Sequence, residues 1–265
     1  MHVSVVSVIF MALSAIISIG LPILLFILFR KKYNAKFIPM ITGAAAFIVF
    51  ALVLEQFVHF FVFKYFPLRE KPLLYIIYGI FMAGIFEETA RFISFKILKK
   101  KYNGIITGLS YGIGHGGTES VLIGGVSMIS CIVLSILLNT GNIETITKIL
   151  RGPEISSQIN TIVTSAPYLF LTSSIERTFA LGIQIALSVI MFYSVFCPDK
   201  LLLYPLAVLL HAIIDIPAAM YQVGVLKNIL LVEGIVFFCT VLMILFALNV
   251  HKKLKNGLTR FPMQS

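Results

Sequence analysis

Two adjacent glutamates and an arginine lie within an otherwise apolar stretch of this chain. Glu87 and Glu88 are followed by Arg91, so on a helix both carboxylates can reach toward one guanidinium. One carboxylate can then form an ion pair, which leaves the other to act as a general base toward water. A charge at the centre of a bilayer costs about 2.5 kcal/mol or more, so residues of this kind are candidates for function. The alternative is a structural ion-pair network that joins helices.

Two histidines later in the chain each have a carboxylate at helical spacing. His115 precedes Glu119, and His211 precedes Asp215, by four positions, which places each pair on one face of a helix. Asp215 can fix the tautomer of His211, or the two can contact a water or a metal together. A lone histidine in a span is more often a hydrogen-bond donor between helices, but the neighbouring carboxylates favour a site.

A further acid–base pair, Glu176 and Arg177, also falls in an apolar stretch. Structural pairing with neighbouring helices and a site role for Glu176 are equally consistent with its position. Glu55, His59 and Glu233 lie near the ends of their apolar stretches, where a side chain can extend to the interface. We expect these three residues to do so.

Glycines recur along the stretch that contains His115, and their spacing predicts a small-residue surface that another helix approaches closely. They are Gly104, Gly108, Gly112, Gly116, Gly117 and Gly124.

The composition indicates a membrane protein whose environment is the lipid bilayer. Of 265 residues, 59% are hydrophobic and 12% are charged, whereas a soluble domain has about 25% charged residues. The net charge of +10 comes from basic runs at the ends of apolar stretches, so it does not indicate nucleic-acid binding. Cys131, Cys197 and Cys239 occur singly, which supports neither a cysteine zinc site nor a disulfide framework.

The apolar stretches predict an all-α, polytopic bundle of transmembrane helices that forms a single domain over residues 1–265. Seven spans are preferred, at about 3–29, 37–63, 73–96, 104–138, 167–196, 201–221 and 228–250. The 104–138 stretch is long for one crossing, so eight spans are the alternative. Residues 139–166 read as the one long polar loop, and residues 251–265 as a basic cytoplasmic tail.

The basic residues also predict the topology in the cell membrane. With seven spans, thirteen Lys and Arg fall in loops on one side and six on the other. The positive-inside rule then places the N-terminus outside and the C-terminus in the cytoplasm.

Most of the acidic residues fall where lipid would make them costly. Seven of the eleven lie in predicted spans, so several should face a common polar interior. These seven are Glu55, Glu87, Glu88, Glu119, Glu176, Asp215 and Glu233.

The order of these motifs resembles that of the CPBP/Rce1-type (CAAX protease and bacteriocin-processing) superfamily. Glu87-Glu88-x-x-Arg91 is followed by Tyr111-x-x-x-His115 and then by His211-x-x-x-Asp215. The stretch from Gly112 to Glu119, the Glu176-Arg177 pair and the stretch from Leu210 to Asp215 are similar to its YhfC branch, which is related to the PrsW proteases. The likeness covers about residues 79–216. One departure is that two residues, not three, separate Glu88 from Arg91, which weakens the role of Arg91.

The resemblance implies an intramembrane peptidase that hydrolyses a membrane-associated protein or peptide. Glu88, or else Glu87, would activate the water. His115 and His211 would stabilise the oxyanion or, with Glu88, ligate zinc, so a glutamate mechanism and a metalloprotease both stay open. Asp215 would orient His211 or take the place of the asparagine of the oxyanion hole. Gln184 stands where this branch leads us to expect a histidine, so no catalytic role is assigned to it.

Two other functions are compatible with the same charges. A proton-coupled carrier would use them as an ion path, but no inverted repeat is apparent in the sequence. A non-catalytic membrane adaptor or immunity protein would retain the fold without the chemistry.

Overall fold

Seven helices are long and apolar enough to cross a membrane among the residues that the computed structural model describes, 2–141 and 153–255. In chain order the helices are α1 (Val5–Tyr33), α2 (Phe37–Tyr65), α3 (Pro72–Leu98), α4 (Ile105–Asn139), the shorter α5 (Pro153–Thr164), α6 (Tyr168–Phe196), α7 (Leu203–Gln222) and α8 (Ile229–Leu254). The all-α, polytopic architecture predicted from the sequence is therefore confirmed.

The long apolar stretch after residue 104 forms one continuous helix, so the described residues contain seven candidate spans, as preferred from the sequence, and not eight. α4 runs without a break from Ile105 to Asn139 and contains a π-helical segment, Ser120–Gly125. α2 contains a second such segment, Ile48–Glu55.

The prediction of one long polar loop at 139–166 is partly wrong, because α5 (Pro153–Thr164) forms within this segment. Residues 142–152 of that loop and residues 256–265 of the predicted basic tail lie outside the described ranges.

Local sequence signals define several helix ends. Ser4 caps α1 by accepting a hydrogen bond from the backbone N–H of Ser7 at 3.0 Å. Asn34 ends the same helix with a left-handed backbone (φ 54°), a conformation that asparagine tolerates. Pro72 occupies the first turn of α3, where its missing N–H costs nothing. Asn228 caps α8 through its side-chain oxygen.

α6 is the central helix of the bundle. In its most apolar window 78% of residues are buried, against 22–33% in the other six spanning helices. It packs against α1, α3, α4, α7 and α8. The outer faces of those helices are apolar and exposed, as lipid contact requires.

Glycines of α4 allow the helices around the polar residues to approach closely. A Cβ at Gly114 would lie 1.9 Å from the backbone oxygen of Met40 on α2, and one at Gly116 would lie 2.7 Å from the Cβ of Gln184 on α6. The predicted close approach is confirmed at Gly108, Gly112, Gly116, Gly117 and Gly124. The prediction is wrong for Gly104, which precedes α4 and faces open space.

A second close contact aligns α3 with α7. A Cβ at Gly84 would lie 2.9 Å from the backbone oxygen of Val208, one turn before His211. This approach brings the carboxylates of α3 against the imidazole of α7.

Candidate functional site

The two adjacent glutamates of α3 have different surroundings, and Glu88 is the one that forms the ion pair. Arg91 donates from Nη1 to Oε1 of Glu88 and from Nη2 to Oε1 of Gln184 on α6. The same Glu88 oxygen is 2.8 Å from Nδ1 of His211. Glu88 and Arg91 are both fully buried, at 0% exposure. These contacts hold Glu88 in place from two helices.

Glu87 differs from Glu88 both in its hydrogen-bond partners and in what its carboxylate faces. Its Oε2 lies 2.9 Å from Nε2 of His115 and accepts a hydrogen bond from Nε2 of Gln184 at 2.8 Å. Nη2 of Arg91 is farther away, at 3.9 Å. Glu87 also lines an internal cavity, which Glu88 does not. The carboxylate that the ion pair leaves available is therefore that of Glu87.

Both histidines are oriented by these carboxylates. A carboxylate only accepts, so the hydrogens lie on Nε2 of His115 and on Nδ1 of His211. Nδ1 of His115 is 3.5 Å from the hydroxyl of Tyr111. The other ring nitrogen of His211, Nε2, points toward the cavity. It lies 4.0 Å from Oε2 of Glu87 and 3.6 Å from Oδ2 of Asp215. The structure thus brings three sequence-predicted motifs together.

Gln184 is the residue of this group that the sequence interpretation missed. Its side-chain oxygen accepts from Arg91, and its Nε2 donates to Glu87 and to Glu119, at 2.8 and 2.7 Å. The sequence did contain a signal for Gln184. It follows Arg177 by seven residues, which is two helical turns, so the two side chains share one face of the helix. We define the inner cluster as Glu87, Glu88, Arg91, His115, Gln184 and His211.

The acid–base pair of α6 lies beside the inner cluster. Arg177 donates from Nη1 to Oε1 of Glu119 at 2.8 Å and from Nη2 to Oε1 of Glu176. Glu119 in turn contacts Gln184. Glu176 pairs with Arg177 of its own helix and also lines the cavity, and its site role stays a prediction.

The cavity has a volume of about 250 Å³ and is bounded by α3, α4, α6, α7 and α8. Its lining combines carboxylates with apolar side chains such as Ile214, Val232 and Val236. Its polar lining residues are Glu87, Glu119, Glu176, Arg177, Gln184, His211, Asp215, Tyr221 and Glu233.

Glu55 and Glu233 were expected to extend to the membrane interface, and for both this expectation is wrong. Each is buried, at 7% exposure. Glu233 faces the cavity from α8. Glu55 is 3.3 Å from Nε2 of His59, whose Nδ1 is 2.7 Å from the hydroxyl of Tyr78 on α3. Position near a helix end did not reveal that neighbouring helices cover these residues.

The chemistry of the donor set fits zinc. Two imidazoles and a carboxylate form a common catalytic zinc set, and two ligands of one tetrahedral zinc lie roughly 3.3 Å apart. Nε2 of His211 and Oδ2 of Asp215 are 3.6 Å apart, and Glu88 holds the other nitrogen of that ring. Among the described residues no group of three or more His, Cys, Asp or Glu is already gathered around one position for a metal. The zinc set expected from the sequence contained Glu88, but the oxygen of Glu88 that faces His211 is shared with Arg91.

Comparisons with known proteins show the family of this chain. The family described as YhfC intramembrane metalloprotease matches residues 17–236. The chain is 37% identical over 243 residues to a protein of Bacillus subtilis (strain 168) described as "Uncharacterized membrane protein YhfC", covering 88% of this chain and 92% of that protein. No solved structure matches the chain. The matched region contains every residue of the inner cluster, and the chain belongs to the YhfC intramembrane metalloprotease family.

Proposed function

We propose that this protein is an intramembrane peptidase that hydrolyses a peptide bond of a membrane-associated protein or peptide. The observation that carries the proposal is the position of Glu87. Its carboxylate lines an internal cavity, lies 2.9 Å from Nε2 of His115 and is 4.0 Å from Nε2 of His211. A general base requires such a carboxylate within reach of a water and of groups that stabilise the charge formed.

Glu87, not Glu88, is the base in this proposal. Glu88 is fully buried and shares its Oε1 between Arg91 and His211. A carboxylate in that position orients the imidazole and neutralises the guanidinium, but it has no access to the cavity. Sequence spacing allowed either glutamate, and Glu88 was the first choice.

The remaining residues position the reacting groups. His211 lines the cavity and would stabilise the oxyanion or hold a metal there, while His115 orients Glu87. Asp215 orients His211 from the cavity side, while Arg91 and Gln184 fix the two carboxylates of α3. Glu119 and Glu176 hold Arg177 at the wall of the cavity.

If zinc is present, His211 and Asp215 would hold it from the wall of the cavity, and Glu87 would keep its role as base. Zinc bound there supplies Lewis-acid polarisation of the carbonyl and an activated water. The proposed zinc ligands can be tested without an activity assay, by measuring the zinc content of purified protein. Purified wild-type protein and Glu87→Gln should contain equal amounts of zinc, and His211→Ala should lose it. Fully active, metal-free wild-type protein would establish the glutamate mechanism instead.

We further propose that the N-terminus lies outside the cell and the C-terminus in the cytoplasm, as the basic loops indicate. α3, α6 and α8 then begin at the outer face. At about 1.5 Å per residue, Glu87 lies roughly 22 Å from the start of α3, whereas Glu233 lies roughly 6 Å from the start of α8. The cavity thus extends from the middle of the membrane toward the outside.

The test of the peptidase is an unbiased comparison of membrane peptides. Cells that express wild type or Glu87→Gln at equal levels are compared by quantitative mass spectrometry for cleavage products. The matched control is Glu55→Gln, which removes an equally buried carboxylate that does not line the cavity. Products should be present with wild type and with the control and be lost with Glu87→Gln.

Two outcomes would overturn the proposal. If the peptide sets of wild type and Glu87→Gln are identical while a biological activity of the protein persists in both, the protein acts as an adaptor. If Glu87→Gln instead abolishes a proton-linked flux in vesicles, with no cleavage product in any sample, the protein is a carrier.

A further inference from the structure

The cavity carries more negative than positive groups along its wall. Five carboxylates line the cavity, those of Glu87, Glu119, Glu176, Asp215 and Glu233, whereas Arg177 is the one Lys or Arg among its described lining residues. Arg177 is already shared between Glu119 and Glu176. Asp215 has His211 as its neighbour, and Glu87 has His115 and Gln184. Each of these four acids therefore has a partner.

Glu233 has none. It is 7% exposed, lines the cavity from α8, and its Oε2 is buried without a hydrogen-bond partner among the described residues. A buried ionisable group is costly unless it is paired, and pairing is provided either by the protein or by what it binds. The described residues do not provide the pair.

The rest of this wall suits a long side chain with a charged end. Ile229, Val232 and Val236 come from the same helix as Glu233, and Ala218 and Tyr221 face them from α7. Apolar walls next to a carboxylate can pack against a methylene stem and pair with its terminal charge. A hydrated metal ion would gain nothing from such walls.

We propose that this wall is a specificity pocket for a basic side chain, lysine or arginine, of the substrate, with Glu233 as its partner. The inference rests on the proposed peptidase function, because it places the pocket beside Glu87 in the same cavity. The substrate would then carry a basic residue near the bond that is cleaved.

Binding of single blocked amino acids tests the pocket without requiring cleavage. The probes are the Nα-acetyl methylamides of lysine, arginine, norleucine and glutamate, titrated onto purified protein and followed by ligand-observed NMR. Wild type should bind the lysine and arginine derivatives at least about tenfold more tightly than the norleucine derivative. Glu233→Gln should remove this preference. The matched control, Glu55→Gln, removes an equally buried carboxylate outside the cavity and should keep it.

The outcomes separate the pocket from the peptidase. Equal binding of lysine and norleucine derivatives to wild type, or a preference that survives Glu233→Gln, overturns the pocket. Glu233-dependent binding of Mg²⁺ or Ca²⁺ in place of the basic derivatives also overturns it. A Glu233-dependent preference in a protein that cleaves nothing supports the pocket and overturns the peptidase. Where cleavage products are found, lysine or arginine should be enriched at one fixed position from the cut, and Glu233→Gln should erase the enrichment.

Discussion

Two buried acid–histidine clusters lie in this bundle, and they differ in what surrounds them. In the inner cluster, Glu87 and Glu88 contact histidines on two other helices and an amide on a third. In the second cluster, which we call the α2–α3 cluster, Glu55 contacts His59 on its own helix and His59 contacts Tyr78 on α3. Both contain a carboxylate at 7–8% exposure, so burial alone does not distinguish them.

The difference lies in how many helices each carboxylate depends on. The α2–α3 cluster is satisfied by one turn of helix and one tyrosine, so it can form wherever α2 and α3 meet. The inner cluster requires α3, α4, α6 and α7 in one relative arrangement. A carboxylate held by several rigid elements is preorganised, which is what a catalytic site needs. The α2–α3 cluster has the residue types of a site without that support.

The largest expected effect follows from replacing Glu87. Glu87→Gln keeps the size of the side chain but removes the base, so cleavage should fall by about 10²–10⁴-fold. Product formation is measured with purified protein once a substrate peptide has been identified from the membrane-peptide comparison. A Glu87→Gln variant that retains wild-type turnover would remove the distinction between the two clusters.

The next effect concerns stability. Arg91→Gln should lower the free energy of unfolding by about 3–5 kcal/mol, because it leaves the fully buried Glu88 without its cation. Unfolding in mixed detergent micelles measures the change. The double variant Arg91→Met with Glu88→Met should recover much of the loss, since it removes both charges. If the single and double variants are equally unstable, the ion pair is not the cause.

A smaller effect on the free energy of unfolding is expected where the backbones of α2 and α4 approach each other most closely. Gly114→Ala places a Cβ 1.9 Å from the backbone oxygen of Met40, so α2 must move away from the helix that carries His115. We expect a loss of about 1–3 kcal/mol in the free energy of unfolding. Gly79→Ala is the matched control, because a Cβ there meets no atom within 4 Å. An equal loss in both variants would mean that close approach does not hold the inner cluster together.

The smallest effect is expected in the α2–α3 cluster. Glu55→Gln keeps the shape of the side chain and weakens one contact with His59, so unfolding should change by about 1 kcal/mol. Cleavage should stay at the wild-type level. A large loss of cleavage in Glu55→Gln, with normal stability, would show that the two clusters act as one site.

The sequence by itself predicted an all-α membrane bundle, with seven spans preferred over eight, and most of the motifs of the candidate site. Apolar length and four-residue spacing are local properties, so they predicted seven helices and paired His115 with Glu119 and His211 with Asp215 on single faces. The small residues of α4 likewise predicted close packing, and only Gly104 departed from it.

The tertiary structure decided which of the site residues face the cavity. Glu87 and Glu88 are adjacent, and neighbours on a helix point about 100° apart, so the rotation of α3 within the bundle determines which one is enclosed and which one lines the cavity. The roles of Gln184 and Glu233 depend on the same kind of placement, because each is a single polar residue in its part of a span. Whether such a residue meets lipid, another side chain or a substrate is determined by the packing of helices that are distant in sequence.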